Sequence, residues 1–394
     1  MKVLQVIPYF FVSWAGGRQG HPVETVYGLS EELAKRGHQV VLFTTDAFNK
    51  GSESEGDPSI IDFEGIKVHE FKSLGGNLGT KTHLIFAPAM VSALAKEVGN
   101  FDIIHLHEFR TLPNIFAHQY ARRNNIPYVV QAHGSIPKLA KSRLKGVYDV
   151  FWGRRLLKDA AKVIAVTRRE AEQYKNMGVK EDRIEIVPNA INLTDLANIP
   201  EKGKFKQKHG FRDEKLVLFL GRLTPVKGVD LLARAFARLL DEMKDARLVI
   251  VGSDEGCLAD LKDLVWELKI EDRVLFPGAL YGVEKLEAYV DAHVYVLPSV
   301  YEIFGITVLE ALACGTPVIV SDKCGLAEKI DGRAGIVVPR DEVSLRDALR
   351  TLLTDEPVRK RFIDAGRKLV EAEFTWQKVA AKMESVYHSA IGAK

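Results

Sequence analysis

HVYVLPSVYEIFGITVLEALACGTPVIVSD, residues 293–322, is the stretch whose reading decides the fold. Its opening run, His293 to Ser299, is apolar and β-branched and stops at a proline, as a buried strand does. A Phe304-Gly305 turn follows, and then ITVLEALAC carries helical periodicity. Strand, loop and helix start in that order aim backbone N–H groups at the place where an anion would sit. Glu302 lies on the loop and Glu310, with seven residues between them, in an early helical turn, so both face one ligand. Carboxylates repel phosphate, so the two glutamates are expected to accept hydrogen bonds from hydroxyls, which sugar and ribose offer.

Working outward, Lys215 to Leu220 (KLVLFL) is a second buried strand, followed by the loop GRLTPVKGVD and an amphipathic helix VDLLARAFARLLDEM. Arg222 and Lys227 sit in that loop, five positions apart, around Pro225. Arginine offers a bidentate fork for phosphate oxygens and lysine a compact point charge. Such a pair neutralises a diphosphate without a metal ion. Strands and helices alternate along the whole chain, the pattern of doubly wound parallel sheets. Met1 to Phe10 reads as the first strand, with Gly16-Gly17 in the loop behind it, where bare backbone approaches an acceptor or a donor phosphate.

With these residues the chain resembles the retaining glycosyltransferases of the two-Rossmann-domain (GT-B) type, that is, the glycosyl transferases group 1 and glycosyltransferase family 4. The Gly-Arg…Lys-Gly loop and the Glu-x7-Glu element carry the resemblance, and FDIIHLHEF, IPYVVQAHGS, AKVIAVTRREAEQY and IEIVPNAIN match its first-domain landmarks in order. Two departures stand out: Asn189-Ala190-Ile191-Asn192 where the family often adds an aspartate, and Ile303 where glycine or proline is commoner. The resemblance implies an α/β fold of two facing Rossmann-like domains with an interdomain cleft. The expected parts are an acceptor-binding domain at 1–195, a polar, lysine-rich linker at 196–214 and a nucleotide-sugar-binding domain at 215–375. A final helix within 376–394 is expected to cross back onto the first domain.

What the family implies for function is transfer of a sugar from a nucleotide-diphosphate donor to an acceptor hydroxyl with retention of configuration, without cofactor or metal. Carried over by motif, Glu302, His133, Arg222 and Lys227 form the catalytic set. Glu302 meets donor-sugar hydroxyls and Glu310 the ribose, while Arg222 and Lys227 meet the diphosphate. Backbone of Phe304, Gly305 and Ile306 meets the sugar, and the helix start near Thr307 and Val308 meets phosphate. Gly16 and Gly17 form the acceptor or phosphate loop, with Gly17 also on the donor. Base recognition is expected in the loops at Ser253–Gly256 and Gly278–Leu280, with Leu280 touching the donor. The alternatives are a nucleotide-sugar 2-epimerase of the same fold and a catalytically silent sugar-nucleotide-binding protein.

Composition bounds the other classes. The chain's 394 residues suit two domains, and 46% hydrophobic with 27% charged residues is ordinary for a globular protein. A net charge of +3 with no matching motif argues against nucleic-acid binding. Cys257, Cys314 and Cys324 form no disulfide framework and no metal spacing, so a reducing cytoplasm is expected, with Cys314 a small apolar filler. Val3 to Ala15 is broken by Gln5, Pro8 and Ser13 and reads as a buried strand rather than a signal segment, and no apolar run is long enough to span a bilayer. His105 and His107 share one strand face, but no third metal ligand is near them in the sequence. Ser52 to Ser59 reads as an acidic, polar loop. Between Lys138 and Lys162, eight basic residues face two acidic ones, a net of +6, with Tyr148, Phe151 and Trp152 interleaved. An ordinary solvated helix face is one reading of it. Peripheral contact with an anionic membrane, serving a lipid-linked acceptor, is the other.

Overall fold

The structure is a computed structural model that describes residues 1–9, 23–47, 58–63, 65–74, 85–137, 142–193 and 199–392. The chain forms two compact units, Met1–Ala190 with Trp376–Lys394, and Ile191–Thr375.

In the first unit β1 (Lys2–Val6), β2 (Gln39–Thr45), β3 (Ser59–Phe63), β4 (Ile66–Phe71), β5 (Ile103–His107), β6 (Tyr128–Gln131), β7 (Lys162–Ala165) and β8 (Ile184–Ile186) make one sheet in the order β3-β4-β2-β1-β5-β6-β7-β8. Every pairing is parallel except the β3–β4 hairpin at the edge. Ser59, read from sequence as the end of a polar loop, already belongs to that edge strand, while residues 52–57 lie outside the described residues. The central strands β5 and β6 are buried at every position, because helices cover both faces of a parallel sheet. The helix Trp376–Gly392 joins this unit through Trp376, Val379, Ala380, Met383, Val386, Tyr387 and Ala390, a spacing that lines one helical face.

The second unit has six parallel strands: β9 (Lys215–Leu220), β10 (Ala246–Val251), β11 (Val274–Gly278), β12 (Val294–Leu297), β13 (Val318–Ser321) and β14 (Gly335–Val338). Their order is β11-β10-β9-β12-β13-β14. The chain winds outward from β9 in one direction, then returns to pair β12 on the other side of β9. That reversal opens a crevice at the carboxyl ends of β9 and β12, where folds of this kind hold their ligands. Part of the polar stretch read as a linker folds onto this unit. The buried Asp291 accepts the backbone N–H of Gly203 and of Lys206 (2.8 Å), seating the short helix Lys204–Lys208.

Candidate functional site

The two loops that flank the β9–β12 crevice are docked onto each other. Val300 N–H donates to the Val226 carbonyl at 2.8 Å. Gly228 takes φ +67, and a Cβ there would lie 2.4 Å from the Pro298 carbonyl oxygen. Only glycine lets the backbones approach so closely. With the loops locked, Lys227 Nζ reaches Glu302 Oε2 at 2.5 Å, and the side chains keep only 19% and 14% of their surface exposed. The Glu302 backbone is itself fixed: its N–H donates to the Lys323 carbonyl and its carbonyl accepts from Gly325 N–H at 2.8 Å. Phe304 is buried edge-on to Phe374, leaving its backbone rather than its ring for a ligand. Ile303 is buried as well.

Gly305, at φ +95, starts the helix Ile306–Ala313, and no side chain caps that start. Its amide dipoles therefore remain available to an anion. Glu310, in the second turn, accepts from Lys285 Nζ and from the Tyr289 hydroxyl, both at 2.9 Å. Burial first, then the Glu310 charge, pushes the Tyr289 hydroxyl well above its ordinary range, so it stays a donor. Thr307 accepts the Tyr295 hydroxyl at 2.7 Å. None of these three partners was visible in the sequence. Lys285 and Tyr289 come from the helix Gly282–Asp291, and Tyr295 lies inside a strand.

Arg222 does not join Lys227. Its guanidinium, 65% exposed, pairs with Glu255 at 2.9 Å. Glu255 belongs to the loop after β10, one of the two expected to read a base. Asp254 in that loop accepts the backbone N–H groups of Gly256, Cys257 and Leu258, which hold its carboxyl below the usual range. Leu280, after β11, is half-buried. Gly16 and Gly17 lie outside the described residues.

His133 sits in the first unit, just past β6, with φ +50, and Glu108, just past β5, has φ +63. Left-handed backbone at two non-glycine residues beside each other's strands is strain of the kind that gathers at functional sites. Its neighbours hold it in place. Thr167 caps the helix Arg168–Asn176, and Glu170 in its first turn accepts Gly134 N–H at 2.7 Å and Val166 N–H at 2.8 Å. Burial pushes the Glu170 carboxyl up to about 7. Arg110 forks onto Asp149 at 2.8 and 3.0 Å and donates to the Ser135 and Ile136 carbonyls. Burial likewise pushes Glu108 up to about 7. His105 and His107 face the same way, their rings 4.0 Å apart, each in a hydrogen bond to a protein group.

The basic stretch divides in two. Residues 138–141 lie outside the described residues, while Asp149–Gly153 forms one π-helical turn between two short α-helices. Val150, Phe151 and Trp152 stand out at 68%, 66% and 45% exposure. Beside them runs a groove of about 540 Å³ lined by Ile115, His118, Arg122, Arg123, Phe151, Trp152 and Arg155 among others. Sequence reading missed the groove's other wall, the helix Leu112–Arg123.

The family model of the glycosyl transferases group 1 matches residues 201–369, and that of Glycosyltransferase Family 4 matches residues 23–195. A D-inositol 3-phosphate glycosyltransferase of Stackebrandtia nassauensis is 31% identical, covering 96% of this chain and 87% of its own. A phosphatidyl-myo-inositol mannosyltransferase of Mycobacterium leprae is 29% identical over 99% of this chain and 97% of its own. Among solved structures, sucrose-phosphate synthase from Thermosynechococcus elongatus superposes with a TM-score of 0.78 at 24% identity, covering 100% of each chain. The Anabaena protein HepE in complex with UDP-glucose superposes at 0.75 and 16% identity, covering 99% of this chain and 100% of its own.

Proposed function

Because the chain belongs to the group 1 glycosyltransferases, a family of transferases, we propose that it moves a sugar from a nucleotide-diphosphate donor to an acceptor hydroxyl, with retention and without a metal ion. The observation that carries this reading is the Lys227–Glu302 pair at the carboxyl ends of β9 and β12. A donor arriving there exchanges one ion pair for two sets of contacts. Lys227 turns to the diphosphate, and Glu302 accepts hydrogen bonds from sugar hydroxyls. Arg222, already exposed, swings from Glu255 onto a phosphate oxygen. The uncapped start of the helix at Gly305 to Thr307 adds its dipole to the charge developing on the leaving diphosphate, as preorganised donors do. Glu310, held by Lys285 and Tyr289, is placed to accept from the ribose, and Leu280 flanks the base. His133 contacts the transferred sugar, and Gly16 and Gly17 meet acceptor or phosphate. The UDP-glucose bound by a protein of this fold supports a nucleotide-sugar donor.

Proton NMR of the first-formed product is expected to show the donor's anomeric configuration in the new linkage. The rate is expected to survive EDTA, since two cations and a helix dipole stand where other folds use a divalent ion. An inverted product, or activity lost to EDTA and restored by a divalent ion, overturns the corresponding part of the reading. Retention of configuration also separates transfer from epimerisation.

On the acceptor side we place a lipid-linked hydroxyl reached from the cytoplasmic membrane face. The described residues contain no helix long and apolar enough to cross a membrane, and the contact we propose is peripheral. Exposed Val150, Phe151 and Trp152 next to Arg122, Arg123 and Arg155 suit an anionic lipid surface, and a phosphatidyl-myo-inositol mannosyltransferase among the relatives is consistent with it. Vesicles with anionic lipid are expected to bind more protein than neutral ones, and binding is expected to fall steeply with salt. Phe151→Ser with Trp152→Ser is expected to weaken it several-fold at constant charge. Equal binding to both vesicle types means a solvated face and points to a soluble acceptor.

A further inference from the structure

We propose that the groove beside Phe151 and Trp152 is a headgroup site for a phospholipid that ends in a phosphomonoester, set apart from the place where the sugar is transferred. The inference rests on the reading that this face meets a membrane, and adds that it selects one headgroup rather than any negative surface.

The groove, of about 540 Å³, opens between the helix Leu112–Arg123 and the helix Arg154–Asp159 with the π-helical turn before it. The first of these leaves the carboxyl end of β5 and runs back along the sheet. Arg122 and Arg123, in its last turn, therefore lie about three turns, on the order of 15 Å, from that edge. The turn behind the helix takes the carbonyls of Tyr120, Ala121 and Arg122, so this end presents cations rather than bare oxygens.

Asp159 faces the cations from the other helix. Its Oδ2 stands 3.1 Å from His118 Nε2, 3.3 Å from Arg122 Nε and 3.6 Å from Arg155 Nε. One carboxylate cannot neutralise two guanidiniums. Arg123, resting on the Tyr120 ring at 5.5 Å, has no carboxylate partner among the described residues. His118 is held below the usual imidazole range chiefly by burial and adds no charge at neutral pH. Three arginines against one carboxylate thus leave two positive charges over. A phosphodiester brings one negative charge, whereas a phosphomonoester brings close to two, with three oxygens for the guanidinium forks. The side chains are open to it, since Arg122 and Arg155 keep 49% and 64% of their surface exposed. Phe151 and Trp152, rings 5.7 Å apart on the same rim, form an apolar wedge that sets these cations at the depth of lipid phosphates. That rim is complementary to acyl chains and not to a soluble phosphate, so the occupant is a lipid.

The test uses the full chain and phosphatidylcholine vesicles doped with phosphatidic acid or with phosphatidylglycerol, at mole fractions that give equal zeta potential. Phosphatidic acid is expected to bind the protein about 10-fold more tightly, the worth of an added charge-assisted hydrogen bond. Arg123→Gln, which breaks no ion pair, is expected to erase most of that ratio while the melting temperature holds. Phe151→Ser with Trp152→Ser is expected to weaken binding to both vesicle types and keep the ratio. Glycerol 3-phosphate and inorganic phosphate at millimolar concentration are expected to displace no protein. Equal binding at equal surface charge, or a ratio that survives Arg123→Gln together with Arg155→Gln, overturns the headgroup site and leaves the membrane contact standing. Displacement by glycerol 3-phosphate overturns the lipid as occupant and assigns the groove to a soluble phosphate ester. No binding to either anionic vesicle removes the membrane reading itself, and the site with it.

Discussion

Replacing Lys227 or Glu302 by alanine is expected to lower turnover by about 10²- to 10³-fold, the usual loss when one preorganised electrostatic partner is taken from a transition state. The fold should tolerate the change. The pair is largely buried, so leaving one charge without its partner is expected to cost about 1–3 kcal/mol, a clear fall in Tm in a chain that still folds. The double variant separates function from mere pairing. If both residues act on the same bound donor, removing both costs far less than the product of the two single losses. Steady-state kinetics with a panel of sugar nucleotides, beside thermal melts, gives both quantities. Near wild-type turnover in either single variant removes that residue from the site.

An equally large effect is expected from a change that touches no polar group. Gly228→Ala places a methyl 2.4 Å from the Pro298 carbonyl oxygen, at φ +67. The left-handed backbone alone costs an L-residue about 1–2 kcal/mol. The clash is with backbone, which has no rotamer to give, so the loop after β9 must move off the loop after β12. Lys227 and Glu302 then lose their common frame, and a displacement of about 1 Å suffices for a 10²-fold loss of rate. Gly210→Ala is the control, with φ +69 and open space around the added methyl. It should show the backbone cost in a melt and full activity. Equal activity of the two variants would mean that docking of the loops does not matter to the chemistry.

The parts legible in the sequence were those set by local order. The run of apolar residues before Pro298 could only be a buried strand, and the Gly305 turn with ITVLEALAC behind it could only start a helix against that strand. Lys227 and Glu302 were therefore placed at strand ends by their own neighbours. What escaped depends on which strand comes to lie beside which. Lys285 and Tyr289 reach Glu310 because the helix Gly282–Asp291 feeds β12 next to β9. Gln5 reaches His107 across more than a hundred residues for the same kind of reason. Arg222 and Lys227, five residues apart on one loop, read as a pair, yet the short 3₁₀ turn at Pro225–Lys227 separates them and Glu255 takes the arginine. The basic stretch showed its charge, but its exposed aromatic turn comes from a π-helical insertion that has no residue signature.

The helix Trp376–Gly392 has a consequence for how the molecule is made. Gly28 leaves room for the Trp376 indole, which a Cβ there would approach to 2.2 Å, and Tyr387 closes over His105 in the first sheet at 2.8 Å. On a ribosome these groups emerge only after the whole second unit. Nascent chains ordinarily finish their domains from the amino end forward. Here the half synthesised first has to wait, with part of one face of its sheet uncovered beside the helix Val23–Lys35, until the half synthesised second is complete.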